Sequence, residues 1–186
     1  MLRRLPSAML ALAVVVLAGC ARTGDDGVEH PAGVDEAQVY AAVLRRYLGT
    51  PSENSFPDRA FPAVYVLDQA RADAADAADP AGPSPSVTPI AADTQRAVVA
   101  ALDGTAKVVF VAAREAVVET RDGCAQVKDG GILVTLGPPR GDEDRVTVAV
   151  NGFVACLGAT WLTYVVRYDP GTGWRVTGTT GTMAVA

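Results

Sequence analysis

Arg145-Val146-Thr147-Val148-Ala149-Val150-Asn151-Gly152-Phe153-Val154 decides how this chain folds. Its β-branched residues recur at every second position. Val146, Val148 and Val150 therefore point to one side of a strand, with Thr147 and Asn151 on the other. Working outward, Ile132 to Leu136, Trp161 to Tyr168 and Trp174 to Thr177 have the same character. The gaps between them are short and built of turn residues: Gly-Pro-Pro-Arg-Gly-Asp, Cys-Leu-Gly and Asp-Pro-Gly-Thr-Gly. Gaps of that size make hairpins, so the last third reads as an antiparallel meander. Thr182 to Val185 is a candidate edge strand.

Upstream the period changes. Over Asp35 to Leu48, Tyr40, Val43, Leu44, Tyr47 and Leu48 share a helix face, and Arg45 and Arg46 fall off it. Asp35 and Gln38 have capping-box spacing, Gly49 suits a left-handed stop, and Pro51 blocks continuation. Tyr40 and Tyr47 read as core. Ala63 to Leu67 reads as a strand. A second helix is expected with Thr88 as cap and Pro89 in its first position, ending at Asp103-Gly104. Lys107 to Ala113 reads as a buried strand. Ala116-Val117-Val118 is a candidate short strand, with turns at Arg121-Asp122-Gly123 and Asp129-Gly130-Gly131. Residues 69–87 read as a low-complexity insertion, Ala/Asp-rich and then Pro/Ser-rich, that buries little apolar area. Asp73, Asp76 and Asp79 recur within it but lack the alternate oxygens and the glycine of an EF-hand loop. The expected fold is α+β: two helices packed on a curved antiparallel meander. That arrangement resembles the cystatin-like and nuclear-transport-factor-like rolls.

The N-terminus carries a different message. Arg3 and Arg4 precede an apolar run from Met9 to Ala18, the layout of a secretory signal. The run is short of the ~20 residues a membrane span needs. It closes on Leu17-Ala18-Gly19-Cys20, which resembles the lipobox of bacterial lipoproteins. The resemblance implies cleavage before Cys20, diacylation of its thiol, and a lipid-tethered protein on the extracytoplasmic face of the membrane. Residues 1–19 are then a signal peptide, 20–33 a flexible tether containing His30, and 34–186 a single domain. The closing block, from Ile132-Leu133-Val134-Thr135-Leu136 to Gly173-Trp174-Arg175-Val176-Thr177-Gly178, looks like small uncharacterised secreted proteins of actinobacteria, which imply no activity.

Charge and chemistry narrow the function. The chain holds 16 basic and 21 acidic residues, and losing Arg3 and Arg4 makes it more acidic still. An acidic surface disfavours nucleic acid. Cys124 and Cys156 remain once Cys20 is lipidated, and an exported pair is expected to form a disulfide. The serines after Cys20 lie in loops, and the sole histidine, His30, lies in the tether, so no nucleophile–base pair is in view. No cofactor or metal is called for. Asp68, Glu119 and Asp122 are the carboxylates a glycosidase would draw on. Asp142-Glu143-Asp144 reads as a solvated hairpin tip. Trp161 and Trp174, on neighbouring strands, are core residues or candidate ligand contacts. The leading expectation is a non-catalytic binding or accessory module, with a small ligand or cell-envelope protein as partner. The alternatives are a carboxylate-dependent cell-wall or glycan hydrolase and a structural subunit of a membrane complex.

Overall fold

The computed structural model describes residues 33–54, 60–77 and 86–186. Cys20, the signal and most of the tether lie outside these residues.

Helix α1 (Glu36–Gly49) starts where the sequence places it. The Gln38 backbone N–H donates to Asp35 Oδ1 at 3.0 Å, and the Gln38 side chain donates to Asp35 Oδ2 at 2.7 Å. This cap differs from a capping box, because Gln38 reaches the Asp35 carboxylate and not its backbone N–H. The helix end also differs from expectation. Gly49 is helical, and the break falls at Thr50, which is extended. Pro51 is the cause: its ring excludes the helical region for the residue before it. Val39, Tyr40, Val43, Leu44 and Tyr47 are all fully buried.

A one-turn helix, α2 (Pro51–Asn54), follows, so the described residues hold three helices where two were expected. Asn54 Nδ2 donates to the Tyr47 carbonyl at 2.9 Å, satisfying one of the acceptors left open at the end of α1. Glu53 accepts from Tyr164 Oη at 2.8 Å and from Arg46 Nε at 3.0 Å. Burial pushes the Glu53 carboxyl up, but the hydrogen bonds from Arg46 and Tyr164 and the Arg46 charge outweigh it, so it titrates below its ordinary value. A carboxyl depressed in the folded state adds stability that is full above its unfolded pKa and fades as pH falls through the folded one. Glu53→Gln should therefore destabilise the protein at pH 7, and the deficit should shrink on acidification below about pH 4.3. Paired denaturant titrations at pH 7 and pH 3 test this; an equal deficit at both would contradict it.

The strands are β1 (Val64–Leu67), β2 (Gln69–Arg71), β3 (Val87–Pro89), β4 (Val108–Val111), β5 (Val118–Arg121), β6 (Cys124–Val127), β7 (Ile132–Leu136), β8 (Arg140–Asp142), β9 (Arg145–Ala155), β10 (Gly158–Asp169) and β11 (Gly173–Val185). Helix α3 (Ala92–Ala101) lies between β3 and β4. The main sheet runs β11-β10-β9-β7-β1-β4, with β8 on β9 and the β5–β6 hairpin joined to β9. The meander of β7, β9, β10 and β11 is antiparallel as expected. The sheet as a whole is mixed: β1 lies between β7 and β4 and is parallel to both. Parallel neighbours need long crossovers, and the route from β1 to β4 supplies one through α3.

Several stretches differ from their expected form. Arg114–Ala116 is a 3-10 turn where a strand was expected to begin, and Arg140–Asp142 of an expected turn pairs as β8. β4, expected to be buried, is an edge strand with Val109 exposed. Thr88 and Pro89 sit in β3, paired with Ala70 and Gln69, so α3 begins only at Ala92 and has no side-chain cap. Ladder bonds to β2 outcompete the local start signal there. Residues 69–77, expected as exposed low-complexity chain, form β2 and a run of turns, with Ala70 and Ala74 buried. Alanine is small enough to pack where the segment crosses the sheet. Asp79 and the Pro/Ser-rich residues 80–85 lie outside the described residues.

The sheet separates two cores. The larger joins Tyr40, Leu44 and Tyr47 of α1 and Val98 of α3 to Val66, Val134, Val148 and Tyr164. The smaller, on the opposite face, holds Val117, Val127, Leu133, Phe153 and Ala159. This division follows from strand alternation: even-numbered positions of β9 and β10 meet the helices, and Phe153 and Trp161 meet the other face.

Candidate functional site

The face away from the helices carries a groove of about 750 Å³. Strand register builds its floor. Thr135 of β7 pairs with Asn151 of β9, and Asn151 pairs with Trp161 of β10. The three side chains form one row across the sheet and line the groove beside Leu133. Asn151 Nδ2 donates to the Thr160 carbonyl at 3.0 Å, which fixes the amide plane. Trp161 is half-buried, packed at the margin of the smaller core.

One wall is the segment 69–77. Gln69, Arg71, Asp73 and Asp76 line it, held over the sheet by the β2–β3 pairing and by buried Ala70 and Ala74. Arg71 Nη2 and Asp73 Oδ2 pair at 3.2 Å, both about a third exposed, so each keeps a face toward the groove. The other wall is the turn after β4. Arg114 and Glu115 lie there, with the Arg114 guanidinium 3.9 Å from the Phe153 ring centre. Burial lowers the Arg114 pKa, with Glu115 acting against it, and Arg114 remains charged. Asp73 and Asp76 also line a second recess, bounded by Thr163, Thr180 and Thr182. The two recesses thus flank one arching segment.

None of the family models, curated proteins or solved structures compared with this chain matches it. The site is therefore read from its own geometry. Of the two tryptophans, Trp161 lines the groove. Trp174 lies on the helix side, nearly buried, its ring centre 5.6 Å from that of Tyr168. The structure does not bring the two together.

The three carboxylates are likewise absent from the groove lining, although Asp68 stands between two residues that line it, Leu67 and Gln69. Asp68 follows β1 with Oδ1 buried and without a hydrogen-bond partner. Glu119 is paired with Arg121 at 3.0 Å on β5. Asp122, with φ 52°, is in the β5–β6 turn. None lines the groove. Among the described residues, no group of three or more His, Cys, Asp or Glu is arranged to hold a metal ion. No helix among them is long and apolar enough to cross a membrane.

Cys124 and Cys156 form a disulfide, with Cα atoms 5.5 Å apart. It ties the start of β6 to the turn between β9 and β10, beside the smaller core. A disulfide is compatible with an extracytoplasmic compartment.

The sequence marks neither Thr135 nor Asn151 as a site residue, and marks Asp73 and Asp76 only as part of an incomplete calcium pattern. The available signal was polarity on the outward side of otherwise apolar strands, at Thr135 and Asn151.

Proposed function

We propose that this chain is a non-catalytic binding module, tethered by lipid at Cys20 outside the cytoplasm, that holds its ligand in the groove over Trp161. The row Thr135–Asn151–Trp161 carries the reading. A face serving only to pack would carry aliphatic residues at these sheet-centre positions. A concave site with an aromatic floor and a few fixed polar groups is the usual form of a small-ligand pocket, at ~300–1,000 Å³. Helices α1 and α3 layered on one face of the sheet support a cystatin-like or nuclear-transport-factor-like roll, with this groove on the opposite face. Of the acids that do line the groove, Asp73 is held at both oxygens by Arg71, and Asp68, Glu119 and Asp122 are not among them; this supports binding over carboxylate-dependent hydrolysis.

The tether rests on Leu17-Ala18-Gly19-Cys20 and the disulfide. Two acyl chains hold a protein stably at a bilayer, whereas one does not. Cys20→Ala should remove the lipid mass and move the protein from the membrane pellet to the soluble fraction. An unchanged mass and pellet fraction would refute the anchor. For the groove, a soluble cell-envelope extract should slow amide exchange in 69–77 and around Asn151 and Trp161. Unaltered exchange there would refute the binding reading.

A further inference from the structure

The geometry points to a glycan as the ligand class: a neutral pyranose chain with one ring stacked on Trp161 and its neighbours running along the acids of 69–77. This inference rests on the binding reading above and specifies its ligand.

The lining charges set aside the other ligand classes. Asp73, Asp76 and Glu115 outnumber Arg71 and Arg114, so an anionic ligand such as a phosphate meets net repulsion. An acyl chain is disfavoured because both walls are charged and the floor offers Thr135 and Asn151 beside one aromatic ring. A sugar satisfies both halves of the site. The C–H face of a pyranose is apolar and matches the flat indole. Its rim of hydroxyls both donates and accepts. A carboxylate offers about four lone-pair positions, so Asp73 can accept from a hydroxyl while both its oxygens keep their bonds from Arg71, and amides such as Asn151 and Gln69 both donate and accept.

The arrangement also suits a chain better than a single sugar. The groove and the second recess share Asp73 and Asp76. From Trp161 the lining passes through those two acids to Thr163, Thr180 and Thr182, which add hydroxyl groups. Both recesses lie on the sheet face away from α1, one on each side of the segment that carries Asp73 and Asp76, so a linear oligomer that reaches both passes over those two acids.

The two tryptophans make the test selective. Trp174 belongs to the helix-side core, so the Trp174→Phe chain leaves Trp161 as its single indole reporter. The full chain, in detergent micelles, is titrated with cellohexaose and with fully N-acetylated chitohexaose, both neutral, by calorimetry. The Trp174→Phe chain is followed in parallel by acrylamide quenching. The expected result is saturable binding of at least one hexasaccharide, with shielding of Trp161 from the quencher. Trp161→Ala and Asn151→Ala should each weaken binding about tenfold or more, the loss typical of a central anchor. Circular dichroism establishes that these variants fold; the quenching measurement needs no groove substitution. Heat and quenching unchanged by both hexasaccharides would overturn the glycan assignment. If the envelope extract still protects the groove, the binding module stands and only its ligand class falls. If neither acts, both readings fall. Binding of a hexasaccharide that leaves Trp161 as open to acrylamide as before would place the glycan elsewhere and also overturn the proposal.

Discussion

Gly152→Ala is expected to lower unfolding free energy by about 3 kcal/mol, the upper end of what overpacking a core costs. Gly152 lies in β9, opposite Thr160 of β10. Tyr47 of α1 hydrogen-bonds through its hydroxyl to Thr160 Oγ1, so its ring is seated directly on Gly152. A Cβ at position 152 would coincide with the Tyr47 hydroxyl and lie 2.7 Å from ring atom Cζ. Tyr47 is fully buried, and burial pushes its phenol up to about 12, with the Thr160 bond opposing that rise. The ring has no solvent route to retreat into, so α1 must lift from the sheet or the Thr160 bond must break. The bond alone is worth about 1 kcal/mol.

Gly178→Ala serves as the control. A Cβ there meets nothing within 4 Å, and the change should stay within about 0.5 kcal/mol. Denaturant midpoints at constant slope give both values. Combining Gly152→Ala with Tyr47→Phe should cost less than the two changes added, because the hydroxyl in the way is gone. A Gly152→Ala midpoint equal to that of the parent would show that the Tyr47–sheet contact is not tight.

Replacing Cys124 and Cys156 together by alanine should cost a similar amount. The bridge spans 32 positions of sequence, for which loop-closure entropy gives about 3–4 kcal/mol. Its effect is also local. The β5–β6 hairpin meets the main sheet through one register pair, Gln126 with Ala155. The small cluster around Val117, Val127 and Phe153 also packs it on the sheet, while the Lys128 Nζ bond to the Ala116 carbonyl at 2.8 Å closes the base of the hairpin itself. Without the bridge, amide exchange over 118–127 should speed up more than in β9 or β10. Thiol titration of the parent, denatured but not reduced, should find neither Cys124 nor Cys156 reactive. Two reactive thiols, or a double variant with the parent's midpoint and protection, would remove the bridge from the account.

Where partners are close in sequence, the chain announced them. Asp35 and the apolar face from Val39 to Tyr47 set α1. The short gaps after β9 (Cys156-Leu157) and β10 (Pro170-Gly171-Thr172) set both pairings, because a hairpin turn leaves the next strand one choice of neighbour, while the register shifts within β10 were not legible. The disulfide partners followed from number and compartment alone. What the sequence could not state was where β1 would enter the sheet. Val64 to Leu67 has the same pattern whether its neighbours run parallel or antiparallel, and its partners Val108 and Ile132 lie more than forty positions away. That choice depends on the edge of β7 that the antiparallel meander leaves unpaired. Thr88 and Pro89 read locally as a helix start, yet they pair with β2, because the long-range ladder satisfies more backbone groups than the local cap. The groove is the same kind of object. Asn151 and Trp161 become neighbours through the β9–β10 register, and Asp73 lines the same groove from a segment anchored by Ala70 in the helix-side core and by buried Ala74. Local periodicity determines which way a side chain faces. Only packing between distant segments decides what it faces, since that energy belongs to no single stretch of the chain.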